Sequence, residues 1–161
     1  MTNISLENRR RNSFYHTVVI KDEQRFCKRI LIVDDDADTN ITFKTGIEDS
    51  NNDSRKRIEV HTSSNPAVAL SEFKPHFYDL LLVDINMSNM NGFEFCEKIL
   101  AIDIDAKVCF MSSAEINHET LREIYPTINL GRFLRKPVTV DYLVERIRSE
   151  LNQVSDLMGE G

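Results

Sequence analysis

Three short runs constrain this chain more than any other feature. Ile30-Leu31-Ile32-Val33, Leu80-Leu81-Leu82-Val83 and Val108-Cys109-Phe110-Met111 are apolar at every position. An alternating pattern would mark a sheet with one wet face. Runs with no polar position need burial on both faces, and a parallel sheet between two layers of helices provides it. Ile58-Glu59-Val60-His61 and Arg132-Phe133-Leu134 read as two weaker strands nearer the edges. Helical stretches fall after each strand, over residues 38–47, 65–73, 92–102, 117–124 and 139–154. Asn65 is suited to cap the second of these, with Pro66 at its first position. In the last one, Val140, Leu143, Val144, Ile147, Leu151 and Val154 share one face, as a core-facing stripe should.

The order is β-α repeated five times, with every gap long enough for a crossover helix. Right-handed crossovers then predict an α/β fold, a five-stranded parallel doubly wound sheet. One domain over residues 28–154 accounts for this pattern. Residues 1–27 are polar and poorly periodic and read as a mobile N-terminal extension, although Thr17-Val18-Val19-Ile20 has the composition of a short strand. Residues 155–161 read as a short tail, and no output domain is expected after the fold. Residues 49–57 read as a solvated loop.

With 161 residues the chain can bury a core without staples. Its net charge of -6 argues against direct nucleic-acid binding, which needs clustered Lys and Arg. Cys27, Cys96 and Cys109 are odd in number and lack metal-ligand spacing, which suits a reducing compartment. No apolar run approaches the roughly 20 residues that span a bilayer. Arg9, Arg10 and Arg11 are not followed by a signal-peptide core. These features place the protein in the cytoplasm.

In open α/β sheets, ligands bind beyond the carboxyl ends of the strands. Asp34, Asp35 and Asp36 follow the first strand. Asp84, Ile85 and Asn86 follow Val83. Ser112 and Ser113 follow Met111, and Arg135, Lys136 and Pro137 follow Leu134. Any one of these has a bland reading as a cap, a turn residue or a surface charge. Together they bring carboxylates, a hydroxyl and an ammonium to one rim. Gathered aspartates repel one another, and a Mg²⁺ ion, which takes oxygen ligands, removes that repulsion. The Lys136-Pro137 step suits a tight turn with a cis bond. The four histidines, His16, His61, His76 and His118, fall at none of these strand ends, and a solvated role is expected for most of them.

At these residues the chain resembles the receiver domain of two-component response regulators, of the stand-alone, single-domain type. Four stretches carry the resemblance: residues 30–36 (ILIVDDD), 80–92 (LLLVDINMSNMNG), 111–115 (MSSAE) and 133–137 (FLRKP). It implies a flavodoxin-like (βα)5 fold and a phospho-accepting switch in a phosphorelay, not an enzyme acting on a separate substrate. Asp84 would be the phosphoacceptor. Asp34, Asp35, Asp84 and the Asn86 carbonyl would hold Mg²⁺ or Mn²⁺. Lys136 would pair with the phosphoryl group, and Ser113 and Phe133 would be the switch residues. The phosphoryl donor would be a histidine kinase or a phosphotransfer protein. The signal would pass by protein binding through about residues 117–154.

Two departures touch the site. Ser88 stands where many receivers carry Pro, which suggests a less rigid loop after Asp84. Phe133 lacks the hydroxyl of the commoner Tyr. Three rival readings can be weighed. A haloacid-dehalogenase-like phosphatase would need Thr or Val where this chain has Asp38. A calcium loop starting at Asp34 would need Gly and Glu where Thr39 and Thr45 stand. A receiver-like scaffold that is never phosphorylated would keep the same residues.

Overall fold

The computed structural model of the chain describes residues 27–53 and 56–153. Five strands form one wholly parallel sheet in the order β2-β1-β3-β4-β5. The strands are β1 (Lys28–Val33), β2 (Ile58–Ser63), β3 (Leu80–Asp84), β4 (Val108–Ser112) and β5 (Phe133–Arg135). The crossover helices are α1 (Ala37–Asp49), α2 (Pro66–Glu72), α3 (Gly92–Ile102), α4 (His118–Ile124) and α5 (Val140–Asn152). The weak strands are the two edges, as their composition implies. The strand suggested at residues 17–20 and the last stripe residue, Val154, lie outside the described residues.

Strand alternation divides the core in two. Leu31, Val33, Leu81, Val83 and Phe110 point to one face, where Ala69 of α2 and Phe93, Phe95, Cys96 and Ile99 of α3 cover them. Ile30, Ile32, Leu80, Leu82, Cys109 and Met111 point to the other, against Phe43 and Ile47 of α1 and Leu143, Ile147 and Leu151 of α5. The three central runs therefore need no polar position. The α5 stripe is core packing, as expected from its period.

Helix starts follow their caps. Asn65 accepts from the Ala67 and Val68 amides, and Asn91 and Glu94 form a reciprocal capping box at α3. Asn117 and Thr139 cap α4 and α5. The sequence ranges beginning at Asn65, Asn117 and Thr139 thus include the cap residue itself.

Two polar contacts were not legible in the sequence. Glu150 is 2% exposed and bonds to Arg132 Nε and Arg146, each at 2.8 Å. This pairing ties α5 to the start of β5. The loop expected to be solvated is also anchored. The Asn51 side chain accepts from Ile58 N and donates to Ile58 O, both at 2.9 Å. Arg148 donates to the carbonyls of Ser50 and Lys56 from α5.

Burial pushes the Cys96 and Cys109 thiols up to about 12, whereas Cys27 is only partly buried. Thiolate is the reactive form. At pH 8 the native protein should therefore react with Ellman's reagent at Cys27 alone, and at all three cysteines in denaturant. Fast labelling of Cys96 or Cys109 in the native state would contradict the burial described above.

Candidate functional site

The strand order reverses direction between β1 and β3, which opens a crevice at their carboxyl ends. Val33 pairs with Val83, so Asp34 and Asp84 leave the sheet side by side. Ligand oxygens of Asp34, Asp35 and Asp84 lie within 4.8 Å of one another. Asp34 is 1% and Asp84 6% exposed, and Asp35 is open to solvent. Lys136 arrives from the far edge. Its amide donates to Ser112 O, which extends the β4–β5 pairing by one residue. Its ammonium then reaches across β4, with Nζ 2.5 Å from Asp34 Oδ2 and 3.3 Å from Asp84 Oδ1. The Lys136–Pro137 peptide is cis.

These charges shape one another. Burial raises the Asp84 carboxyl above its usual range, Asp34 and Asp35 add to this, and Lys136 opposes it. Burial works against the Lys136 charge, yet Asp34 and Asp84 hold its pKa above that of an ordinary lysine. Lys136 is thus an ammonium at neutral pH.

The three consecutive aspartates take three different jobs. Asp34 Oδ1 accepts from Asp36 N, and its Oδ2 faces Lys136. Asp35 Oδ2 accepts from both the amide and the hydroxyl of Ser88. Asp36 is the cap of α1, accepting from the Asp38 and Thr39 amides and the Thr39 hydroxyl. A dehalogenase-like mechanism would need Asp36 at the crevice, but its oxygens are engaged by the helix start.

The other expected residues are placed by their strands. Asn86 is exposed two residues past Asp84, and Ser113 is exposed just past β4. Among the described residues no hydrogen bond joins the Ser113 hydroxyl to the carboxylates. Phe133 belongs to an aromatic group rather than to the crevice. Its ring lies 5.4 Å from Phe110, 6.4 Å from Phe93 and 5.2 Å, edge-on, from His118 at the start of α4. His118 is exposed, as expected, but His61 is half-buried and bonds to Tyr78 Oη and Glu59.

Sequence reasoning missed two supporting residues. Asn40 is 3% exposed, and its Nδ2 donates to Asp34 O at 2.8 Å and Ser63 O at 3.3 Å. It joins the ends of β1 and β2 beneath the acidic loop. Gly92 starts α3 directly against the end of β3. A Cβ there would lie 2.5 Å from the Asp84 carbonyl oxygen and 2.9 Å from Ile85 Cα. It was the one glycine in the loop after Asp84, which was the available signal.

The donor set fits a small hard cation. Mg²⁺ binds oxygens at about 2.1 Å, so opposite ligands of one ion stand about 4.2 Å apart, close to the spread of these carboxylates. The oxygens of Asp35 and Asp84 that accept no hydrogen bond among the described residues are Asp35 Oδ1 and Asp84 Oδ2. Two carboxylate oxygens therefore remain for a metal or an electrophile.

Comparison with known proteins agrees with this geometry. Residues 30–148 match the response regulator receiver domain family. The chain is 30% identical over 131 residues to chemotaxis protein CheY of Bacillus subtilis, covering 77% of this chain and 98% of that protein. It is 29% identical over 125 residues to the nisin biosynthesis regulatory protein NisR of Lactococcus lactis, covering 78% of this chain and 51% of that one. The chain thus spans about half the length of several curated relatives it matches. Among solved structures, response regulator protein TrrA from Thermotoga maritima, in complex with Mg²⁺ and BeF, superposes with a TM-score of 0.60 at 24% identity, covering 76% of this chain and 98% of that one. The chain belongs to the receiver domain family of two-component response regulators. Such domains are signalling switches rather than classical enzymes, and Mg²⁺ binding is typical of them. No helix among the described residues is long and apolar enough to cross a membrane.

Two outcomes are expected. Gly92→Ala forces backbone apart at the loop after Asp84 and should cost about 1–3 kcal/mol in chemical denaturation. The second concerns pH without metal. A carboxyl raised in the folded state keeps its proton longer than the unfolded chain does, so stability falls as pH rises above about 4 and through the raised value. Asp84→Asn removes this loss. In EDTA its melting temperature should exceed that of wild type at pH 7, and the gap should close as the pH falls to about 4.

Proposed function

We propose that this receiver domain is a phospho-accepting switch in which Asp84 takes a phosphoryl group from a histidine kinase or a phosphotransfer protein. The observation that carries this reading is the convergence of Asp34, Asp35, Asp84 and Lys136 from three strands on one crevice. Asp84 is favoured over its neighbours as nucleophile. Asp34 is almost fully covered with both oxygens engaged, and Asp35 is held by Ser88. Asp84 keeps Oδ2 unbonded among the described residues.

In the proposed step a carboxylate oxygen of Asp84 attacks phosphorus, and the bond from phosphorus to the donor nitrogen breaks. The product is an acyl phosphate, and the electron pair stays with the leaving imidazole. Such transfers depend on positioning and on neutralising charge on the equatorial oxygens. Lys136, already 3.3 Å from Asp84, keeps a fixed positive charge beside the incoming group. Ser113, at the same rim, can turn its hydroxyl to donate to a phosphoryl oxygen. Asp34, Asp35, Asp84 and the backbone carbonyl of Asn86 would hold a Mg²⁺ or Mn²⁺ ion, which when bound supplies the charge that offsets the carboxylates and the phosphoryl oxygens. The domain acts on no separate substrate. Its chemistry is its own phosphorylation and dephosphorylation.

The readout we propose is protein binding through about residues 117–154. α4 has no fully buried residue, and within the helix Leu121 packs partly buried against the core. It meets the aromatic group through His118 on Phe133 and through Tyr125 stacked 5.2 Å from Phe93. Added charge at the crevice can bias an element buried this little. We place the switch in the cytoplasm, the setting that three unpaired cysteines suit.

Incubation with Mg²⁺ and acetyl phosphate should add the mass of one phosphoryl group to the intact protein. Asp84→Asn should abolish the gain. Lys136→Met should slow it by about a hundredfold, the scale of losing one charge-stabilising donor. No mass increase in wild type would instead support a scaffold that is never phosphorylated.

A further inference from the structure

We infer that Ser88 is a positioning residue for Asp35 and sets the affinity of the acidic crevice for its divalent cation. The inference rests on the metal reading of the crevice given above. Of the three clustered carboxylates, Asp35 is exposed and, among the described residues, has no cation beside it. An unrestrained aspartate on a loop would visit several rotamers. Its bonding partner is Ser88, whose amide at 3.1 Å and hydroxyl at 2.8 Å both donate to Oδ2.

Each carboxylate oxygen has two lone-pair positions. Both positions on Oδ2 are taken by Ser88, which leaves Oδ1 for a metal. One residue thus selects the ligand atom and holds its orientation before any ion arrives. It also joins the two loops that carry the donors, because Asp35 follows β1 and Ser88 lies four residues past Asp84. Groups that hydrogen-bond to metal ligands commonly change metal affinity about 10–100-fold when removed. Proline at this position could supply neither donor. The serine therefore supplies two donors that a proline would lack. It ties the loop to a ligand.

The two donors can be separated by substitution. Ser88→Thr keeps both, Ser88→Ala loses the hydroxyl, and Ser88→Pro loses both. The whole unphosphorylated chain would be titrated with Mn²⁺, followed by electron paramagnetic resonance of the free ion, and with Mg²⁺ by calorimetry. Ser88→Thr should bind within about twofold of wild type, Ser88→Ala about threefold to tenfold more weakly, and Ser88→Pro at least about tenfold more weakly. Ser88→Ala should add little in an Asp35→Asn background, because the serine acts through that carboxylate. Melting in EDTA identifies any variant that fails to fold, and the alanine and double variants then carry the test. Wild-type affinity in Ser88→Ala, or full additivity with Asp35→Asn, overturns the role of Ser88 and leaves the metal reading intact. No binding of either ion by wild type overturns both.

Discussion

One ammonium holds this site together. Asp34 and Asp84 leave adjacent parallel strands with almost no exposure, and two buried carboxylates side by side would be costly if left unpaired. Lys136 Nζ meets both. It does so from 102 residues away from Asp34, across two strands of the sheet. The reach exists because β5 sits at the edge beyond β4 and its pairing continues to the Lys136 amide. The crevice depends on that geometry and on the strand order that produces it.

The rest of the fold buries the elements that carry the rim and leaves one flank less buried. Helices α1 and α5 on one face, and α2 and α3 on the other, bury the central strands almost completely. Asn40 joins the ends of β1 and β2, and Gly92 lets α3 start directly on the end of β3. By contrast, α4 has no buried residue and meets the body partly through aromatic rings. A charge added at the crevice has the most effect on the least buried neighbour, which is why the proposed output lies on that flank.

Much of the fold was legible because its signals are local. Runs that are apolar at every position, caps such as Asn65 and Asn117, and the stripe on α5 each act within a few residues. The candidate site was legible at the level of strand ends. Contacts between loops were not legible, because a side chain's type does not say what it reaches. Ser88, where many receivers carry Pro, is a double donor to Asp35. The loop at residues 49–57 is exposed over most of its described residues, as expected, and Asn51 and Arg148 also anchor it.

By itself the sequence determined the five alternating units, the parallel sheet, and the arrival of aspartates, a serine and a lysine at one end of it. Those follow from periodicity and chain order, which are properties of neighbouring residues. Only the tertiary structure decided how three consecutive aspartates divide their work, with Asp34 facing Lys136, Asp35 bonded to Ser88 and Asp36 capping α1. Only it showed that Glu150 is buried between two arginines. Apart from the Asp36 cap, those pairings are set by which strands lie side by side and by a few ångströms of side-chain reach. No local pattern in the chain records either.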